Sequence, residues 1–355
     1  MSHDANQLVH PREEERIEAL RALNILDTPI EERFERITRL VSKALDMPIC
    51  MISCVDEHRQ WFKSIVGLNL TQTDRCVSFC QHTVLNNEII VIPDARFDSR
   101  FVDNPLVTGE PGIVFYAGAP IFSRANLPVA ALCVIDRQPR CITEDQKETL
   151  REFAKLVECE LAAERANPIE DALIGNLSET WRASMIDPLT RVWNHEGVST
   201  LITETIRYQR EKHTSVGVAI IDLVGHQSIV EQQGDARGDE YLRRYCRAAL
   251  REFNHGETLG RLNGSEFALL TPRMGSKAQL KQRLNQLVDI GENCGPSDHV
   301  ARPNAYGLWI PNDFEVNPEV VLEQLCDGLF ELGQQQDEHV RVQTIPELQN
   351  DQAAA

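Results

Sequence analysis

An apolar run, Val216-Gly217-Val218-Ala219-Ile220-Ile221, ends in an acid, Asp222. Such a run reads as a buried strand that delivers its last carboxylate to a sheet edge. Farther on, Arg261-Leu262-Asn263-Gly264-Ser265-Glu266-Phe267-Ala268-Leu269-Leu270 reads as two short strands about Asn263-Gly264, the strongest short hairpin signal. Gly234-Asp235-Ala236-Arg237-Gly238-Asp239 and a long helical segment lie between them. Asp222, Asp239 and Glu266 are therefore the acids to weigh, against the plainer role of capping a helix or closing a turn. A second candidate is Cys76-x-x-x-Cys80-x-His82. Zinc would need a fourth ligand, with Cys133 the distant option, and the spacing is not a standard one. Core thiols and a helix-face histidine are the competing assignment. Trp61, Phe79, Cys80, Phe115 and Tyr116 either line a small-ligand pocket or fill an aromatic core.

The elements that must position these residues follow from periodicity. Residues 11–24, with Ile17, Leu20 and Leu23, form a short amphipathic helix with proline near its start. A second helix over about 30–45 turns Phe34, Ile37, Leu40, Val41 and Leu45 to one face. Strands are expected at 49–55, 61–66, 89–92, 114–122 and 129–135, with a helix beginning near Phe79 and a long loop over 93–112. A helix from Thr143 to about Glu164 carries a capping box, Thr143 with Gln146. Leu150, Phe153, Leu156, Val157 and Leu161 keep a helical period, Pro168 breaks or restarts it, and Ile169, Leu173, Leu177 and Trp181 carry the stripe on to Met185. That stripe pairs with its copy in a second chain or packs on the chain's own domain. Beyond it come helices over about 195–210, 238–253, 277–289 and 318–332, and strands at 305–310 and 339–343. Residues 347–355 read as a frayed tail.

The chain has 355 residues, enough for two domains, and its 42% hydrophobic content suits proper cores. The formal net charge of −18 repels phosphate backbones, which speaks against a nucleic-acid partner. The polar start and the lack of a membrane-length apolar stretch predict a cytoplasmic protein, with ten reduced, mostly buried cysteines.

The arrangement from Asp187 to Val342 resembles the GGDEF domain of diguanylate cyclases, which join two GTP molecules into cyclic di-GMP. The signature here reads Asn263-Gly264-Ser265-Glu266-Phe267, and the lead-in Asp187-Pro188-Leu189-Thr190-Arg191-Val192-Trp193-Asn194 matches at Asp187, Leu189, Thr190 and Asn194. Arg191 stands where the family has glycine, and His195 where it favours arginine. The resemblance implies metal ligands at Asp222, the Leu223 carbonyl and the third signature position, which is Ser265. A hydroxyl substitutes poorly for a carboxylate on magnesium. Glu266 keeps the fourth, also catalytic, acid. The guanine-binding asparagine falls at Val230, and the second guanine-contacting acid is kept as Asp239. The triphosphate lysine and arginine fall at Gly333 and Asp337, and the phosphate-side Phe-Lys at His226-Gln227. The product-inhibition Arg-x-x-Asp falls at Asn254 and Glu257, while Arg261 matches the family. These losses together point to a degenerate domain acting as a regulatory, nucleotide-binding or protein-interaction module, with magnesium required only if GTP binds. The alternative is an active cyclase with an atypical metal site.

The first half resembles a bacterial sensory GAF domain over about Ala19 to Leu161. The resemblance rests on Asp56-Glu57-His58-Arg59-Gln60-Trp61-Phe62-Lys63, Ser78-Phe79-Cys80, Asp103-Asn104-Pro105, Phe115-Tyr116-Ala117-Gly118 and Leu132-Cys133-Val134-Ile135-Asp136. It implies a small ligand or a dimer role and names no ligand. Both resemblances imply a homodimer and a protein partner in a signalling pathway. The expected fold is α+β: an arm (1–18), a GAF domain of antiparallel sheet flanked by helices (19–161), and a helical linker (162–186). A nucleotidyl-cyclase-like domain with a ferredoxin-like palm core (187–343) and a tail (344–355) follow.

Overall fold

A computed structural model describes residues 9–345 except 164, 166, 255, 296–300, 315, 336 and 337. The expected tail beyond 345 and the positions of Glu164 and Asp337 lie outside the described residues. The chain divides between residues 164 and 165 into two units, each described by itself.

The first unit begins with α1 (Glu13–Ala22) and α2 (Glu32–Ala44), then β1 (Ile49–Val55), β2 (Arg59–Val66) and β3 (Gln72–Asp74). Next come α3 (Cys80–Asn86), β4 (Ile90–Ile92), the short α4 (Pro105–Thr108), β5 (Phe115–Phe122), β6 (Pro128–Asp136) and α5 (Glu144–Ala162). The strands form an antiparallel sheet in the order β3-β2-β1-β6-β5-β4. Both faces are covered. Leu20, Phe34, Ile37, Val41, Leu150 and Val157 bury one face together with Trp61 and Phe115. The other face holds Phe62, Phe79, Cys80, Phe101, Tyr116 and Cys133. Leu40, expected on the inner face of α2, is exposed.

The expected capping box forms at the start of α5: Thr143 Oγ1 accepts from the Gln146 amide at 3.2 Å, and Gln146 Oε1 from the Thr143 amide at 3.0 Å. Helix α1 spans the expected boundary at residue 18 and is fastened to the sheet. Its Arg16 donates to the Val55 carbonyl at 2.6 Å, and Glu13 accepts from Arg16 and Arg75.

The second unit runs α6 (Pro168–Asn176), α7 (Glu179–Ser184), α8 (His195–Lys212), β7 (Val216–Asp222), α9 (His226–Gln233) and α10 (Asp235–Arg251). It continues with β8 (Thr258–Asn263), β9 (Glu266–Pro272), α11 (Lys277–Cys294), β10 (Asn304–Ile310), α12 (Pro318–Gly333) and β11 (Val340–Thr344). The sheet order is β11-β10-β7-β9-β8, antiparallel except for the β10–β11 pair. Helices α8 and α12 bury one face through Leu201, Ile202, Leu325 and Leu329 against Val218, Ile220 and Ala268. Phe267 faces the opposite side and meets Tyr245 of α10, with ring centroids 5.1 Å apart.

The stripe read as a linker helix is divided. Ile169 and Ile174 are buried in the second unit's own core, and Leu173 and Leu177 pack against it. Polar contacts fix α6 there: Asn167 Nδ2 donates to Thr258 Oγ1 at 3.0 Å, and Trp193 Nε1 to Glu170 Oε1 at 2.8 Å. The stripe from 169 to 177 is therefore spent inside its own domain, while Trp181 stays exposed. Among the described residues, no helix is long and apolar enough to cross a membrane.

Candidate functional site

Strand β7 is the middle strand of the second sheet, so its apolar residues are buried on both faces and only its end is polar. Asp222 stands at that end and pairs across the sheet with Glu266, the first residue of β9. Directly opposed residues of an antiparallel pair share a face, so the two acids are neighbours. The hairpin between β8 and β9 has a two-residue loop, Gly264-Ser265, with Asn263 paired to Glu266. The turn thus lies one residue later than Asn263-Gly264 suggested. Gly264 has φ +45°, a conformation glycine adopts freely.

Ser265 is aimed at Asp222: its Oγ donates to Asp222 Oδ1 at 2.7 Å. Asn263 Nδ2 donates to Glu266 Oε2 at 2.7 Å. Burial raises the Asp222 carboxyl above its ordinary range, and the Ser265 hydrogen bond opposes this only in part. Glu266 is raised by burial and then by the charge of Asp222. The Leu223 amide donates to the Ser265 carbonyl at 3.1 Å, and the Leu223 carbonyl accepts the His226 amide at 2.8 Å as α9 begins.

These donors fit a divalent cation poorly. Magnesium calls for charged or carbonyl oxygens, and the Ser265 hydroxyl offers its proton to the one carboxylate beside it. Among the described residues no three His, Cys, Asp or Glu side chains converge as a metal site.

Val230 of α9 packs against α10 at Gly238. A Cβ added at Gly238 would meet the Val230 methyl at 2.4 Å and His226 Nε2 at 3.0 Å, so α9 and α10 touch through these residues. Asp239 lies nearby on the outer side of α10, with its carboxylate 3.6 Å from Arg243. Gly333 ends α12 in open space. Asn254 and Glu257 have local work: Glu257 Oε2 accepts the Asn254 amide at 2.7 Å and pairs with the buried Arg283 at 2.7 Å.

Sequence reasoning missed the clamp that positions the hairpin. Arg261 Nη2 donates to the Gly264 carbonyl at 2.7 Å, and its Nη1 reaches both oxygens of Asp187 at 3.2 Å. Asp187 also accepts from the Thr190 amide and hydroxyl. The lead-in motif and the signature are thus one construction. The available signal was an acid at 187 and a lone arginine two residues before the hairpin. Arg191 has φ +62°, which explains why glycine suits that position.

In the first unit the aromatic residues split by face. Phe79, Cys80 and Tyr116 border a cavity of about 20 Å³, together with Phe62, Leu70 and Leu106. Trp61 and Phe115 do not border it, because successive residues of a strand point to opposite faces and both belong to the other layer. The volume is that of about one water molecule. Phe79 stacks on Phe101 at 4.1 Å, and His82 packs edge-on against Phe101 at 4.8 Å. Burial first, then Arg100, lowers the His82 imidazole to about 4. Cys76 is exposed, whereas Cys80 is buried facing Cys133, so the candidate Cys–Cys–His trio does not converge.

Comparison with known proteins adds the wider relation. The model of the GAF domain matches residues 29–161, and that of the diguanylate cyclase GGDEF domain matches 184–298. A cyclic di-GMP phosphodiesterase of Pseudomonas aeruginosa, PA2567, is 34% identical over 71% of this chain and 40% of its own length. The diguanylate cyclase DgcP of Escherichia coli is 25% identical over 59% of each chain. This chain therefore spans less than two thirds of both relatives. The solved GGDEF domain of DgcB from Caulobacter crescentus, in complex with c-di-GMP, aligns at TM-score 0.40 and 15% identity, covering 45% of this chain and 93% of that one.

Proposed function

Since this chain belongs to the GAF–GGDEF proteins of cyclic di-GMP signalling, we propose that its GGDEF domain does not make cyclic di-GMP. The domain acts as a regulatory module that binds a protein partner or a nucleotide, and the GAF domain is the sensor or dimeriser. The carrying observation is Ser265, whose hydroxyl is hydrogen-bonded to Asp222 where the family chemistry calls for a second metal-binding carboxylate. Val230 against Gly238 on the base side and Gly333 on the phosphate side support the same reading. Joining two GTP molecules is mostly charge placement and neutralisation, so losing metal, base and phosphate contacts together costs many orders of magnitude in rate. The Pseudomonas relative carries the name of an enzyme that degrades cyclic di-GMP rather than one that makes it. That also suits a cyclase-type domain kept for regulation.

The test is incubation of the purified chain with GTP and magnesium or manganese, with cyclic di-GMP sought by chromatography beside an active homologue. No product is expected, and Ser265→Asp alone restores none. Product from that single variant would show that the other losses are tolerated.

The second reading, an atypical cyclase, draws on the pairing of Asp222 with Glu266 at one strand end. It requires product from the wild type and its abolition by Asp222→Ala. A domain that holds GTP without turnover would instead reveal itself as protection against thermal unfolding by the nucleotide.

A further inference from the structure

We propose that Cys80 and Cys133 form a dithiol–disulfide couple in the GAF domain, oxidised by a hydroperoxide that enters the cavity beside Cys80. Their sulfurs lie 3.6 Å apart, and both residues are buried and free. A disulfide requires about 2.05 Å, so the sulfurs must close by roughly 1.5 Å. Cys133 sits in β6, paired on both sides to Met51 and Gly118, so its backbone is held by the sheet. Cys80 opens the short helix α3 and is the partner that turns.

The surroundings of Cys80 differ from those of the other buried thiols. Cys50 and Cys54 lie in the opposite apolar layer, where burial pushes Cys54 up to about 12 and Cys50 higher still. Cys80 has polar neighbours, Cys133 first and then Tyr116, Ser53 and Ser78, and their influence outweighs its burial and lowers its pKa, while the Ser53 and Ser78 hydroxyls donate to Gln60 Oε1. Tyr116 is held in place by Thr83, oxygen to oxygen at 2.7 Å. A Cβ at Gly118 would strike both groups, at 2.2 and 2.8 Å, so only glycine leaves room for that arrangement. Cys80 also borders the small cavity, with exposed Leu70 among its lining residues. A cavity of about 20 Å³ has room for a molecule near the size of water.

The chemistry balances with one hydroperoxide. The Cys80 sulfur attacks a peroxide oxygen; a sulfur–oxygen bond forms, the oxygen–oxygen bond breaks, and the leaving oxygen takes the Cys80 proton. The Cys133 sulfur then displaces hydroxide from the Cys80 sulfenic acid. The disulfide forms, and the hydroxide leaves as water with the Cys133 proton. Two thiols and one hydroperoxide give one disulfide, one water and one alcohol, the last being a second water when the oxidant is hydrogen peroxide. The inference concerns the GAF domain alone and stands or falls apart from the fate of the GGDEF chemistry.

The test uses the full chain, fully reduced and then exposed to hydrogen peroxide. Remaining thiols are alkylated after denaturation and the peptides mapped by mass spectrometry. The expected product is a Cys80–Cys133 linked peptide that disappears with dithiothreitol, while Cys50 and Cys54 remain fully alkylated. In Cys133→Ser the link is lost and Cys80 becomes dimedone-reactive. The wild type carries the main readout, so a variant that folds poorly leaves the test intact. The proposal is overturned if Cys80 stays alkylatable once the exposed Cys76 and Cys141 are oxidised. It is equally overturned if Cys80 links to another cysteine, or advances to sulfinic acid with Cys133 still free.

Discussion

Lys63, wholly buried on β2, lies 2.6 Å from Glu31 Oε1 and donates to Thr28 Oγ1 at 2.9 Å and the Pro29 carbonyl at 2.7 Å. Asp222 and Glu266, side by side at the strand ends of the other domain, receive one hydroxyl and one amide, and among the described residues neither meets a lysine or arginine. The contrast separates two uses of buried charge. The GAF domain closes its charges on one another: Arg16 and Arg75 share Glu13, and Arg59 spans Asp27 and Asp56. Such pairs fix a structure and have nothing left for a ligand. The GGDEF domain does the same at Arg283 and Glu257, yet leaves the acids of its site uncompensated. Uncompensated acids at a strand end are free to respond to whatever charge is brought near them.

The largest effect is expected where a charge is most fully enclosed. Lys63→Ala empties the place of a buried side chain and takes the amine from Thr28 Oγ1, the Pro29 carbonyl and Glu31 Oε1, while Arg33 still holds Glu31 Oε2 at 2.7 Å. The expected loss is about 3 kcal/mol in the stability of the GAF domain. Hydrogen exchange read peptide by peptide assigns the loss to one domain, and unchanged protection in α2 and β2 would break the contrast. Glu257→Ala should cost the GGDEF domain less, about 2 kcal/mol, because Arg283 keeps the Glu252 carbonyl, Gln286 and the face of Phe253. A loss as large as that at Lys63 would mean that the second domain depends on its internal pair just as heavily.

How much of this was legible in the sequence follows the range of each interaction. The strand ending at Asp222, the hairpin and the Thr143–Gln146 box are local patterns, and each forms where its residues stand. The division of Trp61 from Phe62 and of Phe115 from Tyr116 was not legible. Both faces of that sheet are buried, so no polar residue marks which side a given aromatic takes. The approach of Cys80 to Cys133 and the pairing of Glu257 with Arg283 join residues distant in sequence, and periodicity does not see them. The docking of α6 rests on Asn167 and Glu170, two polar residues beside an apolar stripe that suits a partner helix equally well. Within the candidate site, residue identity told more than pattern: a serine among acids is plain in the chain. Its bond to Asp222, and the Arg261–Asp187 clamp behind the hairpin, required the fold.

The smallest expected effect is also the sharpest, because its sign is opposite. Asp222 and Glu266 both have carboxyls raised by burial, and the charge of Asp222 raises Glu266 further. An acid raised in the folded state binds its proton more tightly there than in the unfolded chain. It therefore adds stability at low pH, and that stability is lost as the pH climbs through the folded value. Glu13 runs the other way: burial tends to raise it, but hydrogen bonds and charge from Arg16 and Arg75 prevail and lower it to about 2. Its contribution is present above the ordinary glutamate value and is lost as the pH falls toward about 2. Mild acidification from neutrality should thus raise the contribution of these two acids to the GGDEF domain, opposed by neighbouring His226. The GAF domain should loosen, because the unfolded chain takes up the proton that buried His82, held at about 4, refuses; stronger acid should loosen the GAF domain further. Asp222→Asn keeps an oxygen to accept from Ser265 and removes the charge facing Glu266. At neutral pH it should stabilise the GGDEF domain by on the order of 0.5 kcal/mol. The gain should shrink as the pH falls and the native acid takes up its proton. A loss of stability at neutral pH, with no dependence on acid, would show that the Asp222 charge is already satisfied, and the two domains would then handle buried charge alike.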